Sequence, residues 1–336
     1  HPQTRAQASF INACVRRFLR EEKALMHQAL QGLPAQWNFP LWWIKRVQRD
    51  YPNDWQGILQ ASQQAAPMSL RVNRRKIGRD ALQQQWAEQG MLADAVGEDG
   101  LVWRQAKPVQ AIEGFAQGWC SVQDAAAQLA VPLLLKGLSA RKGKRLQVLD
   151  ACAAPGGKTA HLLEYADAEV WALDMDAQRC ERIQENLLRL GLQAKVVCAD
   201  VVDTTAWWTG QLFDAILLDA PCTASGIVRR HPDIPLLRRE SDIAALVKEQ
   251  RRLLDALWPL LAPGGRMVYC TCSVFRDEGQ YQIDSFLARN TQAVLRPSPG
   301  HLMPGRAANV AGLLDNAPSS SDGFFYAVLE QRNADV

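Results

Sequence analysis

The sequence predicts an α/β protein: a mainly parallel, doubly wound sheet, preceded by a small α+β module and a helical N-terminal segment. Three observations carry that expectation. Strand-like apolar runs recur at 146–150, 169–174, 194–200, 213–219 and 265–272. Helical patterns separate them, and those at 177–190 and 242–261 have the length of crossover connections, which makes the neighbouring strands parallel. Each run also ends in or beside an acid or a thiol (Asp150, Asp174, Asp200, Asp219, Cys272), and such sheets bind ligands beyond the carboxyl ends of their strands.

In chain order, residues 1–62 read as helices, with apolar residues at helical spacing and breaks at Gly32-Leu-Pro34, Pro40 and Tyr51-Pro52-Asn53. From Pro67 the pattern changes: 69–73 alternates like a strand, 79–89 reads as a helix, and short strand-like pieces continue to Val109. A helix over 123–135 opens the regular part. The expected divisions are 1–35, 36–120 and 121–336. The chain starts at His1 without a methionine, inside an amphipathic pattern (Phe10, Ile11, Val15, Phe18, Leu19), which reads as a piece of a longer protein.

A 48% hydrophobic chain of 336 residues can fill sizeable cores. No apolar stretch reaches the roughly 18 to 20 residues needed to cross a bilayer, and no signal-peptide core follows the early arginines. A cytoplasmic monomer without membrane contact is expected. The eight cysteines (14, 120, 152, 180, 198, 222, 270, 272) are scattered, so neither a disulfide framework nor a metal site is expected. Charge is uneven: residues 1–145 hold 20 Lys and Arg against 11 acids, and the remainder 18 against 24. That suits a basic front that meets a polyanion and a catalytic back that binds a small cofactor. Arg71, Arg74 and Arg75 in the front, and Arg229, Arg230 and His231 just after a strand end, are the candidate contacts to the phosphates of a nucleic acid such as RNA.

Residues 150–159, Asp-Ala-Cys-Ala-Ala-Pro-Gly-Gly-Lys-Thr, lie between a strand and a helix, where a Gly-Gly turn lets backbone approach a ligand. A phosphate-binding P-loop would need glycine at position 152, which is Cys152, and Pro155 stiffens the loop. Asp174 stands where a carboxylate accepts from ribose hydroxyls. With Asp150, Asp200 and Asp219 at the same sheet edge, a phosphate would be repelled. S-adenosyl-L-methionine, with a ribose diol, an ammonium and a sulfonium, fits these demands.

Cys222 and Cys272 follow two strand ends and suit covalent catalysis. Methylating carbon 5 of a cytosine requires a thiolate to add to carbon 6, after which a second group assists release. Asp219 could hold the pyrimidine edge, with a proton to donate if its pKa is raised. These residues do not choose between the two thiols. A P-loop-like phosphotransferase and a catalytically silent RNA-binding assembly factor remain the other classes.

The segment 150–159, Asp219-Ala-Pro-Cys-Thr-Ala-Ser-Gly226 and Thr271-Cys-Ser273 resemble the cofactor loop, Pro-Cys motif and Thr-Cys motif of the Sun/Fmu family of RNA cytosine-5 methyltransferases. Arg229-Arg-His-Pro-Asp-Ile234, Asp322-Gly-Phe-Phe-Tyr-Ala327, Val122-Gln-Asp-Ala125 and Pro67-Met-Ser-Leu-Arg-Val-Asn73 extend the likeness over about 36–330. The resemblance implies a Rossmann-like S-adenosylmethionine-dependent methyltransferase domain acting on small-subunit (16S) ribosomal RNA, with S-adenosyl-L-homocysteine as product. It further implies Cys272 as nucleophile and Cys222 as the thiol that helps release. Cys152, Ala153, Ala154, Pro155, Gly156, Gly157 and Lys158 would contact the cofactor, Asp174 its ribose, Asp200 the adenine region, and Asp219 the cofactor or target base. Residues 1–35 would be the end of a NusB-like RNA-binding domain. Arg276-Asp-Glu-Gly279 departs from the family's Pro-Glu-Glu-Asn.

Overall fold

The computed structural model describes residues 2–103, 106–139, 144–305 and 321–332. Two compact units, His1–Gln60 and Ala61–Val336, make up the chain. In the first, helix Ala8–Ala29 buries none of its side chains, and the apolar Phe10, Ile11, Val15, Phe18 and Leu19 are exposed. Helix Leu41–Asp50 buries Trp43, Ile44 and Val47, and Trp37 meets Trp55 edge-on at 5.2 Å.

The second unit contains two sheets. The smaller is antiparallel, with strands β1 (Met68–Val72), β2 (Ala93–Val96), β3 (Gly100–Trp103) and β4 (Cys120–Val122) in the order β2-β3-β1-β4. Helix Arg79–Glu88 lays Leu82 and Trp86 into a core with Leu70, Leu101 and Trp103. The expected division at 120/121 falls inside β4, which pairs with β1 through Leu70–Val122 and Val72–Cys120. The small sheet and the large sheet belong to one unit.

The larger sheet has seven strands: β5 (Leu146–Ala151), β6 (Ala168–Asp174), β7 (Lys195–Cys198), β8 (Phe213–Asp219), β9 (Leu261–Thr271), β10 (Ala293–Leu302) and β11 (Phe324–Gln331). Their order is β10-β11-β9-β8-β5-β6-β7. Strands β5 to β9 run parallel, and β11 is antiparallel to both β9 and β10. Alternate residues feed two cores. Val148, Ala215 and Leu217 pack with Ala130, Leu162 and Ile183, whereas Leu149, Ile216 and Leu218 pack with Leu253, Leu254, Leu257 and Phe286. Burial on both faces explains why these strands are near-continuous apolar runs.

From β5 the chain moves outward through β6 and β7, then returns to β8 on the other side of β5. The switch point lies at the carboxyl ends of β5 and β8, where such a sheet opens a crevice. Two expected elements differ. The helix begins at Ala130, after a 3-10 turn at Ala127–Leu129, because the Asp124 carboxylate accepts from the Ala126 N–H at 2.8 Å and holds a turn instead. Helix Glu240–Leu257 stops before Trp258-Pro259, and β9 starts earlier, at Leu261. Among the described residues no helix is long and apolar enough to cross a membrane.

Candidate active site

The cofactor loop is shaped by two left-handed residues, Cys152 at φ 60° and Gly156 at φ 93°; the second caps helix Gly157–Tyr165. A side chain at Gly156 would also meet Ile183 atoms at 3.1 Å, so glycine is required twice over. The Asp174 carboxylate accepts from the backbone N–H groups of Ala154 and Asp176, both at 3.2 Å. Arg179 closes that corner, donating to Ala154 O at 3.0 Å and lying 3.5 Å from Asp174. Ala153 and Ala154 are buried and Pro155 is exposed. Asp150 lies behind the loop, buried, and accepts from Thr159 Oγ1 at 2.6 Å; burial raises its pKa to about 7.

In front of the loop is a cleft of ≈ 260 Å³. Cys152, Ala154, Asp174, Asp200, Asp219, Cys222 and Cys272 all line it, so residues singled out at five strand ends converge on one cleft. Asp200 stands at its rim, half-exposed and 3.2 Å from Arg252. Burial, and then the surrounding aspartates, push the Cys152 thiol up, which leaves it unreactive.

Lys158 reaches across to donate to Asp219 Oδ2 at 2.6 Å. Burial, the largest single influence, works against its ammonium, but the attraction and hydrogen bond of Asp219 together with the neighbouring Cys270 and Asp150 outweigh it and the net shift is upward. Asp219 also accepts from the Cys270 thiol, at 3.4 Å on Oδ1. Both Asp219 oxygens act as acceptors in these contacts, and Lys158 is the group beside it that carries protons.

Cys222 follows β8 and Cys272 follows β9, and their sulfurs are 3.5 Å apart. The hydrogen bond with Cys272, then burial, holds Cys222 well above the usual thiol range, so it keeps its proton near neutrality. Backbone bonds from Ala220 N to Cys270 O (3.0 Å) and from Gly226 N to Cys272 O (2.9 Å) tie the two loops together. Beneath them lies Glu278, a fully buried carboxylate that the sequence reading did not single out. It accepts from Thr223 N, Thr223 Oγ1, Ser273 Oγ and Gln250 Nε2. A hydroxyl residue directly after each thiol was the available signal.

The candidate RNA contacts divide. Arg71 is 0% exposed and forms a two-pronged ion pair with Glu164 at 2.8 and 3.0 Å, with a further bond to Gly157 O at 2.9 Å. Arg229, with 3% of its side chain exposed, pairs with the buried Asp322. Contrary to expectation neither Arg71 nor Arg229 can contact RNA, because an interior guanidinium bound to a carboxylate has no surface to offer a phosphate. Arg230 is 25% exposed and pairs with Asp322 and, at 2.8 Å, with Asp124, whose pKa burial and then Asp322 raise to about 6. Arg74, Arg75 and His231 are exposed; Arg74 pairs with Asp99 at 2.6 Å and lies over the Tyr165 ring. No group of three or more His, Cys, Asp or Glu placed to hold a metal occurs among the described residues.

Comparison with known proteins supplies the frame for this geometry. The family model described as 16S rRNA methyltransferase RsmB/F matches residues 137–330, which is more than half of the chain. The chain belongs to the 16S rRNA methyltransferase RsmB/F family. Strands β1, β2 and β3 of its small sheet fall within the match of an RsmF/B-like ferredoxin-like domain over residues 39–110, and β4 follows it. The chain is 43% identical over 331 residues to the ribosomal RNA small subunit methyltransferase B of Vibrio cholerae, covering 96% of this chain and 72% of that protein. It is 44% identical over 328 residues to the protein of the same name in Salmonella arizonae, covering 95% and 72%. Among solved structures, a methyltransferase homolog protein from Pyrococcus horikoshii is similar with a TM-score of 0.72 and 25% identity, over 91% of this chain and 98% of that one. The family resemblance read from the motifs is thereby shown, as is the Rossmann-like fold.

Proposed function

We propose that the protein transfers the methyl group of S-adenosylmethionine to carbon 5 of a cytosine in 16S ribosomal RNA, through a covalent bond between Cys272 and carbon 6. The observation that carries this reading is the pair of thiols 3.5 Å apart on one cleft at the sheet's switch point. The cleft also fits the methyl donor. Asp174 and Asp200 suit a ribose and an adenosine edge, and a wall rich in carboxylates favours a cationic ligand over a phosphate. When bound, S-adenosylmethionine supplies an electrophilic methyl on a sulfonium.

The chain's own residues do the rest. The Cys272 thiolate bonds to carbon 6, and the displaced π electrons make carbon 5 nucleophilic enough to take the methyl. Lys158 is the nearby cation and proton carrier for the charge that develops on the ring. Asp219, an acceptor, matches the exocyclic amino donor that distinguishes cytosine from uracil. Once Cys272 is bonded to carbon it no longer shares a proton with Cys222. The leading cause of the raised Cys222 pKa is then gone, so Cys222 can release its own proton to solvent and, as the thiolate, take the carbon 5 proton. Electrons return through the ring and expel Cys272. The target must leave its stack for a thiol to reach carbon 6, and Arg74, Arg75 and His231 are the surface groups best placed to meet phosphates.

The test is labelled methyl transfer to undermethylated 16S rRNA, with covalent adducts followed on denaturing gels. Cys272→Ala should lose both turnover and adduct, and Cys222→Ala should trap adduct. The reverse pattern would exchange the two roles, and full activity in both variants would remove covalent catalysis.

A further inference from the structure

We infer that Glu278 is the positioning residue of the two-thiol pair, setting the spacing and orientation of Cys222 against Cys272. The inference rests on the reading that both thiols act in turn. Glu278 ends the short 3-10 helix Arg276–Glu278 and is 0% exposed. Its Oε1 takes the Thr223 N–H at 2.8 Å and Gln250 Nε2 at 3.3 Å; its Oε2 takes Thr223 Oγ1 at 2.5 Å and Ser273 Oγ at 2.6 Å. Thr223 directly follows Cys222, and Ser273 directly follows Cys272. One carboxylate thus grips the residue next to each sulfur.

The grip is braced from behind. Gln250, on helix Glu240–Leu257, also donates to Pro221 O at 2.9 Å, the residue before Cys222. The Tyr269 hydroxyl donates to the Glu278 carbonyl at 2.8 Å and lies 3.1 Å from Gln250 Oε1. Removing a carboxylate from such a socket strips acceptors from both loops at once, so both sulfurs lose a reference point. The loops stay joined further along, through Ser225 Oγ to Ser273 Oγ at 2.8 Å and Gly226 N to Cys272 O at 2.9 Å. The fold therefore outlasts the loss while the spacing does not. A buried acid also imposes a field that a neutral isostere cannot. Burial raises the Glu278 pKa, its hydroxyl and N–H donors work against that rise, and its charge contributes to holding Cys222 protonated.

Glu278→Gln keeps the shape but offers an amide N–H₂ where one oxygen accepted. In steady-state assays with the full protein, kcat should fall at least about tenfold, while KM for S-adenosylmethionine and for RNA stays within about twofold. The fraction of RNA held as covalent adduct should rise, because release needs Cys222 aligned. The two ends of the grip should separate: Thr223→Val should accumulate adduct, whereas Ser273→Ala should form it more slowly. Unchanged kcat and adduct fraction in Glu278→Gln would overturn the inference, as would loss of cofactor binding in parallel with kcat, which marks a merely structural acid. If Glu278→Gln fails to fold, the Thr223→Val and Ser273→Ala pair decides, and identical behaviour of the two would overturn it. Cys272→Ala in the same assay separates the levels: if it is inactive while the Glu278 and hydroxyl variants match wild type, only the positioning role fails; if it is fully active, the two-thiol reading fails as well.

Discussion

Two buried carboxylates flank the site and are satisfied in opposite ways. On the cofactor side, Glu164 is met by the Arg71 guanidinium, a full counter-charge delivered from β1 of the small sheet. On the thiol side, Glu278 is met by two hydroxyls and two N–H groups, donors that satisfy its oxygens and leave its charge in place. A guanidinium pair extinguishes its own field and acts as a brace. A carboxylate bound by neutral donors remains an electrostatic neighbour to everything around it. Rigidity is built where the cofactor loop must be held, and charge is retained where sulfur protonation matters.

The largest expected effect that sharpens this contrast lies on the thiol side. Cys272→Ala should lower kcat by on the order of 10⁴-fold or more while leaving calorimetric S-adenosylmethionine affinity unaltered. A parallel loss of affinity would show that the two sides are not separable. On the cofactor side, Arg71→Met should leave Glu164 buried without its partner and lower the unfolding free energy by about 3–5 kcal/mol in denaturant titrations. The salt dependence of RNA binding should not change. A reduced salt slope for Arg71→Met would return Arg71 to the RNA surface and break the comparison, whereas Arg74→Ala is the variant that should flatten it.

Asp174→Ala comes next. It frees the Ala154 and Asp176 N–H groups, worth roughly 1–3 kcal/mol, so it should weaken cofactor binding by on the order of tenfold to a hundredfold and leave kcat at saturation much less affected. An effect that shows only as a pH dependence concerns Asp150, whose folded pKa lies near 7 against an ordinary 3.8. Between those values the native state binds the proton that the unfolded state has released. Its contribution is therefore destabilising as pH rises through that window, by up to about 1.4 kcal/mol per pH unit, and constant above it. Asp150→Asn should remove that fall when unfolding midpoints at pH 5 and pH 7 are compared.

Much of this was legible because the chemistry sits at strand ends. Helix 177–190 and strand 213–219 coincide with their sequence patterns, since a fully buried strand and an amphipathic crossover helix leave unambiguous signals. The cofactor loop and both cysteines follow directly from those boundaries. β10 was not foreseen: it contains Pro297, Pro299 and Gly300 and is half-exposed along most of its length, which masks a strand pattern. Arg71 and Arg229 were misplaced for a different reason. Their carboxylate partners, Glu164 and Asp322, each lie 93 residues away in sequence, so a basic run looks solvent-facing until the fold closes on it. Glu278 draws donors from three separate segments and resembled only a divergent loop.

Arg71 also bears on how this enzyme can be taken apart. A fragment beginning at 121 would keep every strand of the large sheet, the cofactor loop and both thiols. It would nonetheless leave Glu164 stranded and deprive the Gly157 carbonyl of its donor in the first turn of the cofactor helix. The seam visible in the chain's composition is therefore not a line along which the catalytic part can be excised or fused to a different RNA-binding partner. Any such transplant must carry β1 with it.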